Sequence, residues 1–361
     1  MTAKPRIHAG PLRANEGTGV DHAAWFAAGA TGLALIQGVA GVPFWKDAGE
    51  LTASAVDLGV AHPTGFSSWA ALARIFTYLP GGTLHLKVGL ASAVPMALCV
   101  GLVAHLVRLP GTQRNWRDFL LRGVALPVLA LSSTTLWYLG TTPEVYALAA
   151  LVAIAWLALF SAEPEHNPTP AQGAVLLGLV PGIHITALFG ALSVCTRRNI
   201  HRWLTLIRSP STLASTLSIF GLSFSGVFAL SVAASRNPEL NFDNPVGLSA
   251  LARHLSAQGI QERFANAGSK PGIHESLDLH WQFLAEDLGL VALAFCVLGA
   301  FLHRTSPIVR GLSVIALADM LYNFSINPMG RRDLQTGALT ILCVSGLAIL
   351  GARALADQLP R

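Results

Sequence analysis

The sequence predicts an all-α, multi-pass membrane protein, and three observations predict it. Long apolar runs recur along the 361 residues. Charged residues make up only 12% of the chain and hydrophobic ones 52%, with a mean hydropathy of +0.53; a soluble domain carries about 25% charge. The arginines fall mainly in short connections that alternate from one side of the runs to the other.

The apolar runs are 22–43, 85–107, 119–139, 144–162, 171–181, 184–195, 212–233, 286–303, 310–325 and 335–354. A helical crossing takes about 20 apolar residues. The runs 171–181 and 184–195 fall short of that and are divided by Pro181, Gly182, Ile183 and His184. Read as one span, they would send the loop 196–211, with Arg197, Arg198, Arg202 and Arg208, to the outside. Read as two half-length segments, they keep it inside with Lys4, Arg6, Arg13, Arg108, Arg114, Arg117, Arg304, Arg310 and Arg353. Basic residues accumulate in cytoplasmic loops, so the split is preferred. The prediction is about ten membrane segments in a single transmembrane domain, 1–361, with both termini cytoplasmic. Residues 1–21 form a cytoplasmic N-terminal segment without the apolar core of a signal peptide, and the first run stays as an anchor.

The outer side then receives 44–84, the connection at Thr142 to Glu144, the tip at His184, the long loop 235–284, and 326–334. In 44–84, helical spacing of Leu51, Ala55 and Leu58, and of Trp69, Leu72, Ile75 and Phe76, predicts two interfacial helices. His62 to Gly65 turns between them. The net charge of +5 is explained by orientation rather than by nucleic-acid binding. Cys99, Cys195, Cys296 and Cys343 all fall in apolar runs and read as small buried hydrophobes, not as disulfides or zinc ligands.

Chemistry concentrates where the first span ends. Asp47 and Glu50 stand three residues apart, followed by His62. Charge so close to a bilayer is costly and points to function. The same Asp-x-x-Glu spacing also suits a helix cap and capping box. Glu144 follows Pro143 at the start of a run, where a carboxylate suits a helix N-terminus, and with Tyr146 can offer hydrogen bonds to a polar ligand. His184 sits at the tip of the split segments. Arg236, at the end of the seventh run, is suited to a phosphate or to snorkelling; Arg331 and Arg332 form a rival outward basic pair. Asp319 lies inside the ninth segment and needs a partner there. Asp47 and Glu50 could share a divalent ion, though no spacing forms a compact metal site.

The ordered motifs Asp47 to Glu50, His62 to Gly65, Thr142 to Leu148, Gly182 to Thr186, Arg236 to Pro238 and Asn241 to Pro245 resemble the GT-C glycosyltransferases. The likeness is greatest to a bacterial family related to the protein O-mannosyltransferases, and it covers roughly 22–260. The resemblance implies a GT-C-like bundle and an inverting transfer of a hexose, above all mannose, from a polyprenyl phosphate. The acceptor would be a protein or cell-envelope hydroxyl on the outer face of a bacterial inner membrane. Asp47 would be the base, supported by Glu50, with His62, Glu144, Tyr146, His184, Arg236, Arg331 and Arg332 on the substrates. It implies no cofactor and no metal. A transporter or flippase of a lipid-linked or small polar substrate is the alternative, with Asp319, Glu144 and His184 as its ion path.

Overall fold

The computed structural model describes residues 20–42, 47–108, 116–161, 169–266, 271–327, 329–330, 333 and 335–358. Arg331 and Arg332, the extreme N-terminal segment, and Phe44 to Lys46 of the first outer loop lie outside the described residues. The described chain is helical, with one isolated parallel bridge between Val60 and Asn241.

Every apolar run becomes helix, but lengths depart from the expectation of ten membrane segments. Five helices are long and apolar enough to cross: α4 (Leu84–Leu106), α11 (Pro210–Ser235), α14 (Ile273–Leu302), α15 (Pro307–Ile326) and α16 (Ala338–Ala356). A sixth crossing exists if the bent pair α5 (Trp116–Ser132) and α6 (Thr134–Thr141) is one span. The remaining apolar helices are short: α1 (His22–Gly38), α7 (Tyr146–Ser161), α8 (Pro170–Leu179) and α9 (Ile185–Val194). These helices fit a multi-pass membrane protein. Between α9 and α11 runs α10 (Arg197–Leu206), which carries the four-arginine loop's first part.

The run 119–139 is not one straight helix. It bends by 88° between α5 and α6. A bend exposes the first amides of the second helix, and a buried unpaired amide is costly. Asp287 of α14 meets them: its carboxylate accepts from the Thr134 and Thr135 amides at 3.1 and 3.4 Å and from the Ser133 hydroxyl at 3.0 Å. The Ser133 oxygen in turn accepts from the Leu136 amide at 3.1 Å. Two residues beyond Asp287, Gly289 takes φ +75° and breaks α14 locally. The apolar run 286–303 is thus only the second part of a helix that begins at Ile273, inside the stretch expected to be loop.

α4 and α16 form the enclosed centre. α1 and α7 pack on α4, and α14 and α15 pack on α16. α11, packed beside α8, leaves Leu217 and Leu222 exposed, as expected of a lipid-facing helix. Three of the cysteines are buried or half-buried as expected; Cys195 is exposed, because it follows the last turn of α9 rather than sitting within it.

The two short helices of the first outer loop form as α2 (Ala48–Asp57) and α3 (Ser67–Thr77). Leu51, Ala55 and Trp69 are buried, whereas Leu58 and Ile75, placed on the apolar faces by spacing, are exposed. Arg74 ties the pair by donating to the Val56 carbonyl. Gly182, in the turn after α8, lies so close to Ser67 and Ser68 that a Cβ there would collide with the Ser68 hydroxyl. The loop's exit is pinned to the long loop: the Val60 amide donates to Leu240 at 2.8 Å, and the Phe242 amide to Val60 at 3.1 Å. Two further helices follow, α12 (Leu248–Leu255) and α13 (Gln258–Asn266).

At the other end of the bundle, charges join four elements. Arg122, in α5, donates to Asp21 just ahead of α1 at 2.9 Å, to Asp118 at 2.6 Å and to the Ala104 carbonyl of α4 at 2.9 Å. Arg353 of α16 completes the chain by donating to Asp118 at 2.9 Å. His105 stands 3.1 Å from Asp21. Burial pushes the Asp21 carboxyl up, but the hydrogen bonds from His105 and Arg122 and the Arg122 charge outweigh it and hold it well below the usual range.

Candidate functional site

The turn ahead of α2 brings Asp47, Glu50 and His62 together, with one donor atom of each within 4.8 Å of the others. Glu50 projects from the first turn of α2 to the opposite strand of the loop. Its Oε1 accepts from the His62 amide and lies 3.0 Å from His62 Nδ1. His62 Nε2 stands 4.0 Å from Asp47 Oδ2. Burial favours neutral His62, but the hydrogen bond to Glu50 and the charges of Glu50, Asp47 and Glu144 raise it above its ordinary value.

The capping box that the Asp-x-x-Glu spacing allowed does not form. Asp47 precedes α2 but makes no side-chain capping bond, and Glu50 turns to His62 instead. The Asp47 carboxylate is held from elsewhere: Gln335 Nε2 donates to its Oδ2 at 3.0 Å and to Glu144 Oε1 at 2.7 Å. Gln335 therefore spans two carboxyl groups that lie 97 positions apart in the sequence. Its own amide donates to Asp333 at 3.1 Å, and Asn327 donates to the same carboxylate at 3.2 Å. This polar chain leads from the end of α15 to the start of α16.

Glu144 sits in the connection from α6 to α7 and is almost fully buried, at 1% exposure. Its backbone is clasped by Ser92 of α4: the Glu144 amide donates to the serine oxygen at 2.8 Å, and the hydroxyl donates to the Glu144 carbonyl at 3.0 Å. Tyr138 donates to Oε1 at 3.1 Å. Burial pushes the carboxyl up to about 8; the Gln335 hydrogen bond opposes that and the Asp47 charge adds to it.

His184 comes close through aromatic contacts. Its ring lies 4.7 Å from Tyr146, 6.0 Å from Tyr322 and 6.5 Å from Phe66, whose ring is 5.1 Å from His62. Its Nδ1 accepts from the Thr186 amide at 3.3 Å, capping the first turn of α9. Asp47, Glu50, His62, Glu144, Tyr146 and His184 are thus joined by hydrogen bonds or ring contacts. Arg236 is not: exposed past the end of α11, its side chain makes no hydrogen bond or ion pair among the described residues. Asp319 takes a structural place. It accepts from the Thr340 amide at 2.9 Å and hydroxyl at 2.8 Å, fastening α15 to α16.

Asp47, Glu50 and His62 are the described residues that could hold a cation. The His62 ring lies between the two carboxylates, whose charges favour its protonated form.

Sequence reasoning missed Gln335, Ser92 and Arg122. Gln335 and Ser92 are uncharged in apolar surroundings and carry no spacing signal. Arg122 does carry one, an arginine four residues into an apolar run beside Asp118.

An all-helical chain with several apolar helices and an acid–histidine cluster at one end of the bundle defines a multi-pass membrane protein with a polar site. Residues 47–206, less than half of the 361-residue chain, match the family model of the protein O-mannosyl-transferase TMEM260 N-terminal domain. The match begins at Asp47 and includes Glu50, His62, Glu144, Tyr146 and His184. No curated protein and no solved structure matches the chain.

Proposed function

We propose that the protein is a membrane glycosyltransferase of the GT-C type. It moves a hexose, foremost mannose, from a polyprenyl phosphate to a hydroxyl of a protein or envelope glycan. One observation carries the reading: Asp47, where the family match begins, keeps a carboxylate that caps no helix and is instead held beside His62, Glu144 and Gln335.

In the reaction, the acceptor oxygen attacks the anomeric carbon while the bond from that carbon to the phosphate oxygen breaks. The bonding pair leaves with the phosphate, and Asp47 takes the acceptor's proton. One carboxylate on the acceptor side is enough for such an inverting displacement. Glu50 and His62 position Asp47. Neutral Glu144 and Tyr146 offer hydrogen bonds to the sugar. No metal is required, since proton transfer and cationic side chains supply the two needs of the step. The site faces outward from the bacterial inner membrane, with both termini in the cytoplasm.

The transporter reading draws less support, because Asp319, its mid-membrane carboxylate, is engaged by Thr340. The test is transfer of radiolabelled mannose from a polyprenyl phosphate in membranes containing the full chain. Labelled protein or glycan above the level of membranes lacking the chain supports the proposal; label recovered only as unreacted donor contradicts it.

A further inference from the structure

α10 (Arg197–Leu206) lies at the end of the bundle away from the acid–histidine cluster and has no part in the transferase reading. α7 begins beside the cluster at Tyr146, and its far end receives Trp203 of α10. The Trp203 ring lies 5.3 Å from Phe160 and 6.4 Å from Trp156. Two hydrogen bonds fix the start of the helix. The Thr196 hydroxyl oxygen accepts from the Asn199 amide at 3.2 Å as an N-cap. Asn199 Nδ2 donates to the Val194 carbonyl, at the end of α9, at 2.8 Å. With 10 residues, α10 is too short to cross a bilayer.

The helical register divides α10 into two faces. Ile200, Trp203 and Leu204 follow the spacing i, i+3, i+4 and share one. Arg198, His201, Arg202 and Thr205 occupy the other, and Arg197 stands at the border between Leu204 and His201. The apolar face is only partly covered. Trp203 packs on the bundle, whereas Ile200 and Leu204 are 43% and 53% exposed. An arginine that only snorkels from the end of a span needs no such apolar residues outside the span. The charge is one-sided as well. No Asp or Glu occurs between Glu165 and Glu239, so α8 to α11 hold no acid to balance Arg197, Arg198, Arg202 and the exposed Arg208. An uncovered apolar edge beside a row of arginines suits a helix lying in the interface of an anionic membrane.

We propose that α10 is a docking surface for anionic phospholipid, with Arg197, Arg198 and Arg202 supplying the charge and Ile200 and Leu204 set against the first acyl carbons. The occupant is the bilayer around the protein rather than a soluble polyanion, because a free ion leaves Ile200 and Leu204 uncovered. The surface does not depend on the chemistry at Asp47. It places a lipid contact at the joint between α9, which begins at the His184 turn, and α11.

The test is lipid binding by the purified full chain in an uncharged detergent. The probes are phosphatidylglycerol and phosphatidylcholine with the same pyrene-tailed acyl chain, read by energy transfer from the protein's tryptophans. Wild type should bind phosphatidylglycerol at least about tenfold more tightly, since each basic residue near an anionic surface contributes about fivefold. Changing Arg197→Gln, Arg198→Gln and Arg202→Gln together should cut that preference by about tenfold or more. The same three positions changed to Lys should keep it, because surface attraction reads charge and not the guanidinium fork. Ile200→Ser with Leu204→Ser should weaken both lipids alike. Arg253→Gln, exposed on α12 in the long loop, removes one charge elsewhere and should change neither. Melting temperatures equal to wild type show that the variants fold. On wild type, raising salt from about 0.05 to about 0.5 M should erode the preference, which tests the charge even where the glutamine variant does not fold. A glutamine variant that keeps the preference within about twofold overturns the proposal, and so does a wild-type preference that salt does not move. Displacement of phosphatidylglycerol by glycerol phosphate at equal affinity overturns the lipid occupant in favour of a soluble phosphate. Unchanged binding by the serine pair overturns the apolar contact.

Discussion

At the scale of single residues, burial and neighbouring charge set how Glu144 and His62 titrate. Glu144 is buried and pushed up to about 8 from an ordinary 4.5. The folded chain keeps that proton over a range in which the unfolded chain has released it, so folding stability falls as pH rises from about 4.5 to about 8. His62 adds a slope of the same sign, since its raised value gives stability that is present at low pH and lost as pH climbs through it. Glu144→Gln, which cannot ionise, should flatten the fall without abolishing it. Melting curves in detergent across that range check this; parallel wild-type and variant profiles would show that Glu144 is not shifted. Gln335 is the second residue-scale case. Gln335→Leu removes the donor shared by Asp47 and Glu144, and a hydrogen bond to a charged group contributes about 1.5–3 kcal/mol. Transfer should fall by about tenfold to a hundredfold at matched protein levels. An unchanged rate would mean that the Gln335 bridge has no part in the reaction.

At the scale of elements, buried polar residues decide where apolar helices stop and turn. Asp287 serves three donors at the bend from α5 to α6. Asp287→Ala leaves those buried groups unpaired and should destabilise the fold by about 1–3 kcal/mol, read as an earlier loss of monodisperse protein on heating. A melting profile identical to wild type would refute the capping role. Hydropathy made the run 119–139 legible as membrane helix but not its bend, since the cause lies 154 positions away from Ser133 in the chain. The short helices α2 and α3 were legible because each keeps its own apolar face. The cap at Asp47 was legible as a possibility and did not form, because Gln335 and His62 compete for the two carboxylates through tertiary contacts that spacing does not encode. The candidate site divides likewise: Asp47, Glu50, His62 and Glu144 stand out as charges beside apolar runs, while Gln335 and Ser92 are uncharged residues whose place at the site depends on the fold.

At the scale of the whole molecule, polar clusters sit at both ends of the helical bundle. The Arg122–Asp118–Arg353 network joins α1, α4, α5 and α16 at one end, and the acid–histidine cluster lies at the other. The proposed topology puts the first end in the cytoplasm. A single cysteine at position 200, where Ile200 is exposed on α10, should react with a membrane-impermeant maleimide only after permeabilisation. Labelling in intact cells would reverse the topology and place Asp47 on the wrong side for an outward-facing site.

The claim that organises all three scales is that Asp47 accepts the acceptor's proton. Asp47→Asn tests it most directly. Asn preserves size, and since Asp47 makes no side-chain capping bond, the helix behind it should not change. Loss of a general base typically costs about 10²–10⁴ in rate. With radiolabelled polyprenyl-phosphate mannose and membranes matched for protein, transfer by Asp47→Asn should fall by at least about a hundredfold while melting and insertion stay as wild type. Transfer within about threefold of wild type would show that Asp47 is not the base.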